Sequence, residues 1–100
     1  MLRHTERKDV RPVDDIQRSI RSMLVEDLFV EVPEDRIGLD DGLRTTFGID
    51  SLGFVELRVQ CEDAFGVTIS DEDFYTENFT SIRTISELVL KLRQETEAKV

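Results

Sequence analysis

Apolar residues recur along this chain at intervals of three and four, and no stretch alternates convincingly, so helical periodicity is its strongest constraint on folding. Val13, Ile16, Ile20, Met23, Leu24 and Leu28 predict a first helix over about Asp14 to Phe29, behind Pro12 and the capping candidates Asp14 and Asp15. Phe54, Leu57, Cys61, Ala64 and Phe65 predict a second over Ser51 to Phe65, with Gly66 where a left-handed terminal residue belongs. Ser81 is placed to cap a last helix in which Ile82, Ile85, Leu88, Val89 and Leu92 line one face. Ser70 followed by Asp71-Glu72-Asp73 resembles another helix start, soon interrupted by Asn78, and predicts a short third helix. Val67-Thr68-Ile69 has strand propensity but no pairing partner, and reads as extended loop. The expected fold is all-α: a small four-helix bundle of three main helices and a short third one.

Residues 31–50 break the pattern. Pro33, Gly38, Gly42, Gly48 and many acids surround the scattered anchors Ile37, Leu39, Leu43 and Phe47, which predicts a long tethered loop. Connections longer than about 12–15 residues are uncommon in compact domains and are often functional. This one delivers the chain to Phe47-Gly48-Ile49-Asp50-Ser51-Leu52.

A chain of 100 residues supports one domain. A basic segment, 1–12, is expected to be flexible, the domain to span 13–93, and 94–100 to form a polar tail. The net charge of −9 argues against nucleic acid or an anionic membrane as partner and favours basic proteins. The acidity belongs to the domain: residues 1–22 hold six Lys or Arg against four acids, and 23–100 seven against eighteen. With no secretory h-region and no apolar run near the ~18 residues of a membrane helix, the expectation is a cytoplasmic monomer. Met1 and the short tails suggest a freestanding chain.

Familiar catalytic chemistry fits poorly. Ile49-Asp50-Ser51-Leu52-Gly53 lacks the first glycine and preceding strand of a nucleophile elbow, and the sole histidine, His4, lies in the basic segment far from Ser51. Asp71, Asp73 and Tyr75 fail the calcium-loop pattern because Thr76 and Ile82 stand where glycine and glutamate are required. Cys61 is the only cysteine, which rules out an internal disulfide and fits a core position. Asn78-Phe79-Thr80 matches the glycosylation acceptor pattern without an export signal to support it. The expectation is a protein acted on by separate enzymes, with no catalytic residues and no metal.

What remains is a hydroxyl at a helix N-terminus, where backbone N–H groups and the helix dipole favour a phosphate. An ordinary N-cap, Asp50 or Ser51, is the commoner reading by physics alone.

Asp50-Ser51-Leu52, then Val55-Glu56-Leu57, Phe65-Gly66-Val67-x-Ile69 and Thr80-Ser81-Ile82, in this order and spacing, resemble the acyl carrier proteins over about residues 14–93. The resemblance implies that Ser51 bears a 4′-phosphopantetheine arm, added from coenzyme A by a magnesium-dependent phosphopantetheinyl transferase, with acyl groups held as thioesters on its thiol. It implies that Asp50 helps the transferase recognise the site. Gly48-Ile49-Asp50-Ser51 looks more like fatty-acid or polyketide carriers than peptidyl carriers, which commonly have Gly-Gly before the serine pair. A peptidyl carrier and a plain acidic interaction module, with Ser51 as a cap or a phosphorylation site, are the alternatives. Two departures stand out: Gly53, expected to loosen the turn beneath the arm, and the bulky Phe54, expected to fill space that shelters acyl chains elsewhere in the family.

Advancing the second helix by about 100° per residue puts Leu52, Val55 and Val59 opposite the core stripe, with Glu56, Glu62 and Asp63 beside them. Single exposed apolar residues need no function, but three in line next to Ser51 predict a docking strip. The resemblance agrees, since the family's second helix meets basic patches on acyl-loading and synthase enzymes.

Overall fold

The computed structural model describes residues 12–98, so His4 and the basic segment up to residue 11 lie outside the described residues. Helix α1 runs Pro12–Ser22, and a π-helical turn, Met23–Asp27, continues it. Pro12 takes the first helical position, where its missing N–H is no loss, and Asp14 and Asp15 sit in the first turn against the positive end of the dipole. The helix therefore begins two residues earlier than its apolar pattern indicated. It also ends earlier: Leu28 N–H donates to the Met23 carbonyl (3.0 Å), widening the last turn, and Phe29 turns left-handed at φ 59°.

The long loop is pinned at several points, with a 3₁₀ turn at Glu34–Arg36. Ile37, Leu43 and Ile49 are buried in the core, and Leu39 and Phe47 pack against it. Leu43 N–H donates to the Thr80 carbonyl (2.9 Å), Arg83 N–H to the Leu39 carbonyl (3.0 Å), and Arg21 Nε to the Ile37 carbonyl (2.9 Å). The Arg83 fork also grips both Asp40 oxygens, at 2.7 and 3.1 Å, and this bonding holds the Asp40 carboxyl below its usual range.

Helix α2, Ser51–Phe65, buries Leu57, Cys61 and Phe65 and ends at Gly66, whose φ of 66° favours a residue without a Cβ. Ala64 is exposed although it shares Leu57's angular direction; a single methyl in the last turn is too short to reach the core. Val67-Thr68-Ile69 is extended loop, as expected. Ile69 N–H donates to Glu62 Oε2 (2.8 Å) and its carbonyl accepts from Arg58 Nε (3.0 Å), so side chains of α2 supply the pairing that a strand would need.

The short helix lies later than Ser70 implied. Ser70 caps only a turn, its Oγ accepting from Asp73 N–H (3.2 Å), and the 3₁₀ helix occupies Thr76–Phe79 with Asn78 inside it. Asn78 donates to the Asp73 carbonyl (2.9 Å) and joins the two turns where its sequence position suggested a break.

Helix α3, Ile82–Ala98, starts at a reciprocal cap: Ser81 Oγ accepts from Thr84 N–H (3.3 Å), while Thr84 Oγ1 accepts from Ser81 N–H (3.1 Å). The polar residues from Gln94 onward continue this helix to Ala98. Its buried face packs on α1 around Ile16, Ile20, Ile85 and Val89. Gln17 Nε2 donates to Ser86 Oγ (3.2 Å) inside that contact, and Ser86 Oγ donates to the Arg83 carbonyl (2.9 Å), so this buried polar pair is satisfied. The bundle is all-helical, with no strand among the described residues.

Candidate functional site

The loop's last residues set the start of α2. Ile49 is buried, which anchors the backbone, and Asp50 caps the helix: its Oδ1 accepts from Gly53 N–H at 2.9 Å. Asp50 thus takes the capping role left open between it and Ser51. Ser51 is the first residue of α2 and is exposed, and among the described residues no hydrogen bond engages its hydroxyl.

Gly53 sits where this turn is closely packed. A Cβ there would stand 2.8 Å from Ile49 Cγ2 and 3.7 Å from Leu28 Cδ2, so its lack of a side chain lets Ile49 close over the helix start beside Leu28. Gly53→Ala gains up to about 1 kcal/mol of helix propensity but overpacks a buried β-branched neighbour, typically at 1–3 kcal/mol. The expected outcome is a net loss of about 1 kcal/mol, read from the denaturant midpoint, whereas a loosening role for the glycine predicts a gain.

Beside Ser51 lies a cavity of about 430 Å³. Phe54 walls it without filling it, which corrects the expectation drawn from its bulk, and Phe74, Tyr75 and Phe79 form much of the far side. Arg44 lies over the Phe54 ring, 5.2 Å from its centroid, and Phe74 meets Phe79 edge to face at 5.0 Å. Helical periodicity did not single out the Phe74–Phe79 segment, although it holds three of the chain's seven aromatic residues.

The other face of α2 carries Leu52, Val55 and Val59, exposed by 79%, 49% and 45%. Glu56 and Asp63 beside them are exposed; Glu62 is half-buried and bound to the Ile69 N–H, so it is the least available carboxylate of the strip. Cys61 faces the opposite way into the core, where burial pushes its thiol up to about 12 and the Glu62 charge adds to the rise. The described residues hold no group of three His, Cys, Asp or Glu side chains suited to a metal ion, and no helix long and apolar enough to cross a membrane.

A family model described as a phosphopantetheine attachment site matches residues 18–96. The chain is 41% identical over 61 residues to acyl carrier protein 2 of Pseudomonas aeruginosa, a match covering 61% of this chain and 75% of that one. It is 31% identical over 77 residues to the acyl carrier protein of Treponema denticola, covering 77% and 94%. This chain belongs to the acyl carrier protein family.

Its role is therefore that of a carrier, and its cofactor a covalently attached 4′-phosphopantetheine. An acyl carrier protein works through enzymes that load and use the arm, a phosphopantetheinyl transferase and synthase enzymes among them. The start of α2 suits such a group: an exposed hydroxyl, the positive end of a 15-residue helix for a phosphodiester, and an apolar cavity alongside.

Proposed function

We propose that Ser51 is the attachment point and that the chain carries acyl intermediates of fatty-acid or polyketide type as thioesters on the arm. The observation that carries this reading is the exposed, unengaged Ser51 hydroxyl at the first position of α2, directly after the cap. In loading, the Ser51 oxygen attacks the β-phosphorus of coenzyme A, its proton passes to a base of the transferase, and adenosine 3′,5′-bisphosphate leaves. The chain supplies position only: Asp50 holds the turn by binding Gly53 N–H, and the helix terminus stabilises the phosphodiester. The arm contributes the thiol that bears the cargo, and the cavity walled by Phe54, Phe74 and Phe79 offers the acyl end an apolar shelter.

The test is the intact mass after incubation with coenzyme A and a broad-specificity phosphopantetheinyl transferase, followed by peptide mapping. A gain of one phosphopantetheinyl group on the peptide holding Ser51 is the expected result; an unmodified chain, or a label on another residue, sinks the assignment.

Leu52, Val55 and Val59, edged by Glu56, Glu62 and Asp63, form the docking strip in this reading, and Asp50 lies within reach of a transferase that has engaged it. Charge complementarity makes a basic partner surface the natural fit. Val59→Asp and Glu56→Arg are each expected to lower the transferase kcat/KM about fivefold, equivalent to about 1 kcal/mol, with Tm unchanged because both positions are exposed. Wild-type rates should fall as salt rises. Wild-type efficiency in both variants across a range of salt removes the strip from the interface.

A further inference from the structure

At the end of the first helix the chain does something costly. Val30 N–H donates to the Leu24 carbonyl (2.9 Å), the closure typical of a helix ended by a left-handed residue, and that residue is Phe29 at φ 59°. Glycine takes this conformation freely, whereas a phenylalanine strains the backbone against its own Cβ. Packing does not offset the strain, because Phe29 is 79% exposed. A bulky aromatic is thus held out into solvent at the one point where a smaller residue would serve the fold better.

Phe29 and Leu52 line the same cleft, about 660 Å³, between the end of the first helix and the start of α2. Four carboxylates share that lining, Asp27, Glu31, Asp50 and Glu56, and no Lys or Arg does. All four are exposed, and none forms an ion pair among the described residues.

We propose that Phe29 is a docking anchor: its ring enters an apolar pocket on a partner protein, and Lys and Arg around that pocket meet Asp27, Glu31 and Glu56. The interface therefore reaches beyond α2 to the end of the first helix. The acidic rim excludes a nucleic acid or an anionic membrane as occupant and selects a basic protein surface. Asp50 and Leu52 flank Ser51 and belong to the same cleft, so the occupant is an enzyme that acts at Ser51. The proposal rests on the attachment reading in that choice of partner.

The experiment compares wild type, Phe29→Gly and Glu31→Lys as substrates of a phosphopantetheinyl transferase with coenzyme A, alongside their Tm values. A purely structural residue cannot gain stability and lose recognition through one substitution, and that opposition is the expected signature. For Phe29→Gly the Tm should equal or exceed the wild-type value while KM rises roughly tenfold at unchanged kcat. Glu31→Lys should raise KM at low salt and converge on wild type at high salt. An unchanged KM for Phe29→Gly overturns the anchor, as does a lowered Tm, which makes the ring a support of the fold. An unchanged KM for Glu31→Lys overturns the basic partner. A wild-type chain that takes up no arm overturns the attachment reading and this one with it, whereas chains charged to completion at equal KM overturn this one alone.

Discussion

Ser51→Ala is expected to take up no phosphopantetheine and to carry no thioester cargo, with Tm and circular dichroism unchanged. The loss is complete because the transfer needs an oxygen nucleophile at this position and alanine supplies none. The fold is spared because the cap belongs to Asp50, whose Oδ1 binds Gly53 N–H, and because the Ser51 side chain is exposed and makes no hydrogen bond among the described residues. Nor can Cys61 take over as a thioester site. Its thiol is fully buried and pushed up to about 12, and the thiolate is the form that attacks. Hydroxylamine should therefore release cargo from the loaded wild type and none from the variant. Phosphopantetheinylated Ser51→Ala protein would refute the assignment outright.

Leu57→Ala is expected to cost about 2–5 kcal/mol, which for a domain of this size corresponds to a fall in Tm of roughly 10–30 °C. Leu57 is fully buried in the core cluster, so truncation leaves a cavity that close-packed surroundings only partly collapse into. Val55→Ala, two residues earlier on the exposed face, should cost only tenths of a kcal/mol. Thermal or denaturant unfolding of the pair separates the two faces of α2. Similar losses at both positions would mean that the helix is rotated from the register described.

Where a residue's environment depends on its own helix, the amino-acid order made it readable. Leu57, Cys61 and Phe65 on one face of α2, Leu52, Val55 and Val59 on the other, Gly66 at its end and the Ser81 cap were all legible, because a helix repeats its faces every 3.6 residues and its ends demand particular backbone conformations. Ala64 shows the limit: its angle is right, but burial also depends on the reach of the side chain and on what lies opposite.

The site divides along the same line. Asp50 and Ser51 announced a helix start beside a long loop, and that much is chemistry written into six consecutive residues. Gly53 reads differently in sequence and in structure because its neighbour Ile49 approaches only once the loop has turned Ile49 into the core, a 2.8 Å closeness that propensity cannot express. Phe29 reads in sequence as the last residue of a helix, and only the π turn from Met23 to Asp27 leaves it left-handed and outside. The cavity beside Ser51 joins residues 42–45, 51–55 and 74–80, segments with no periodic relation to one another. Periodicity and end chemistry determined which residues form helices and which face each helix buries. Tertiary packing alone decided what those faces meet, because contacts between distant segments depend on how the loop folds back over α2 and α3, and local spacing carries no record of that path.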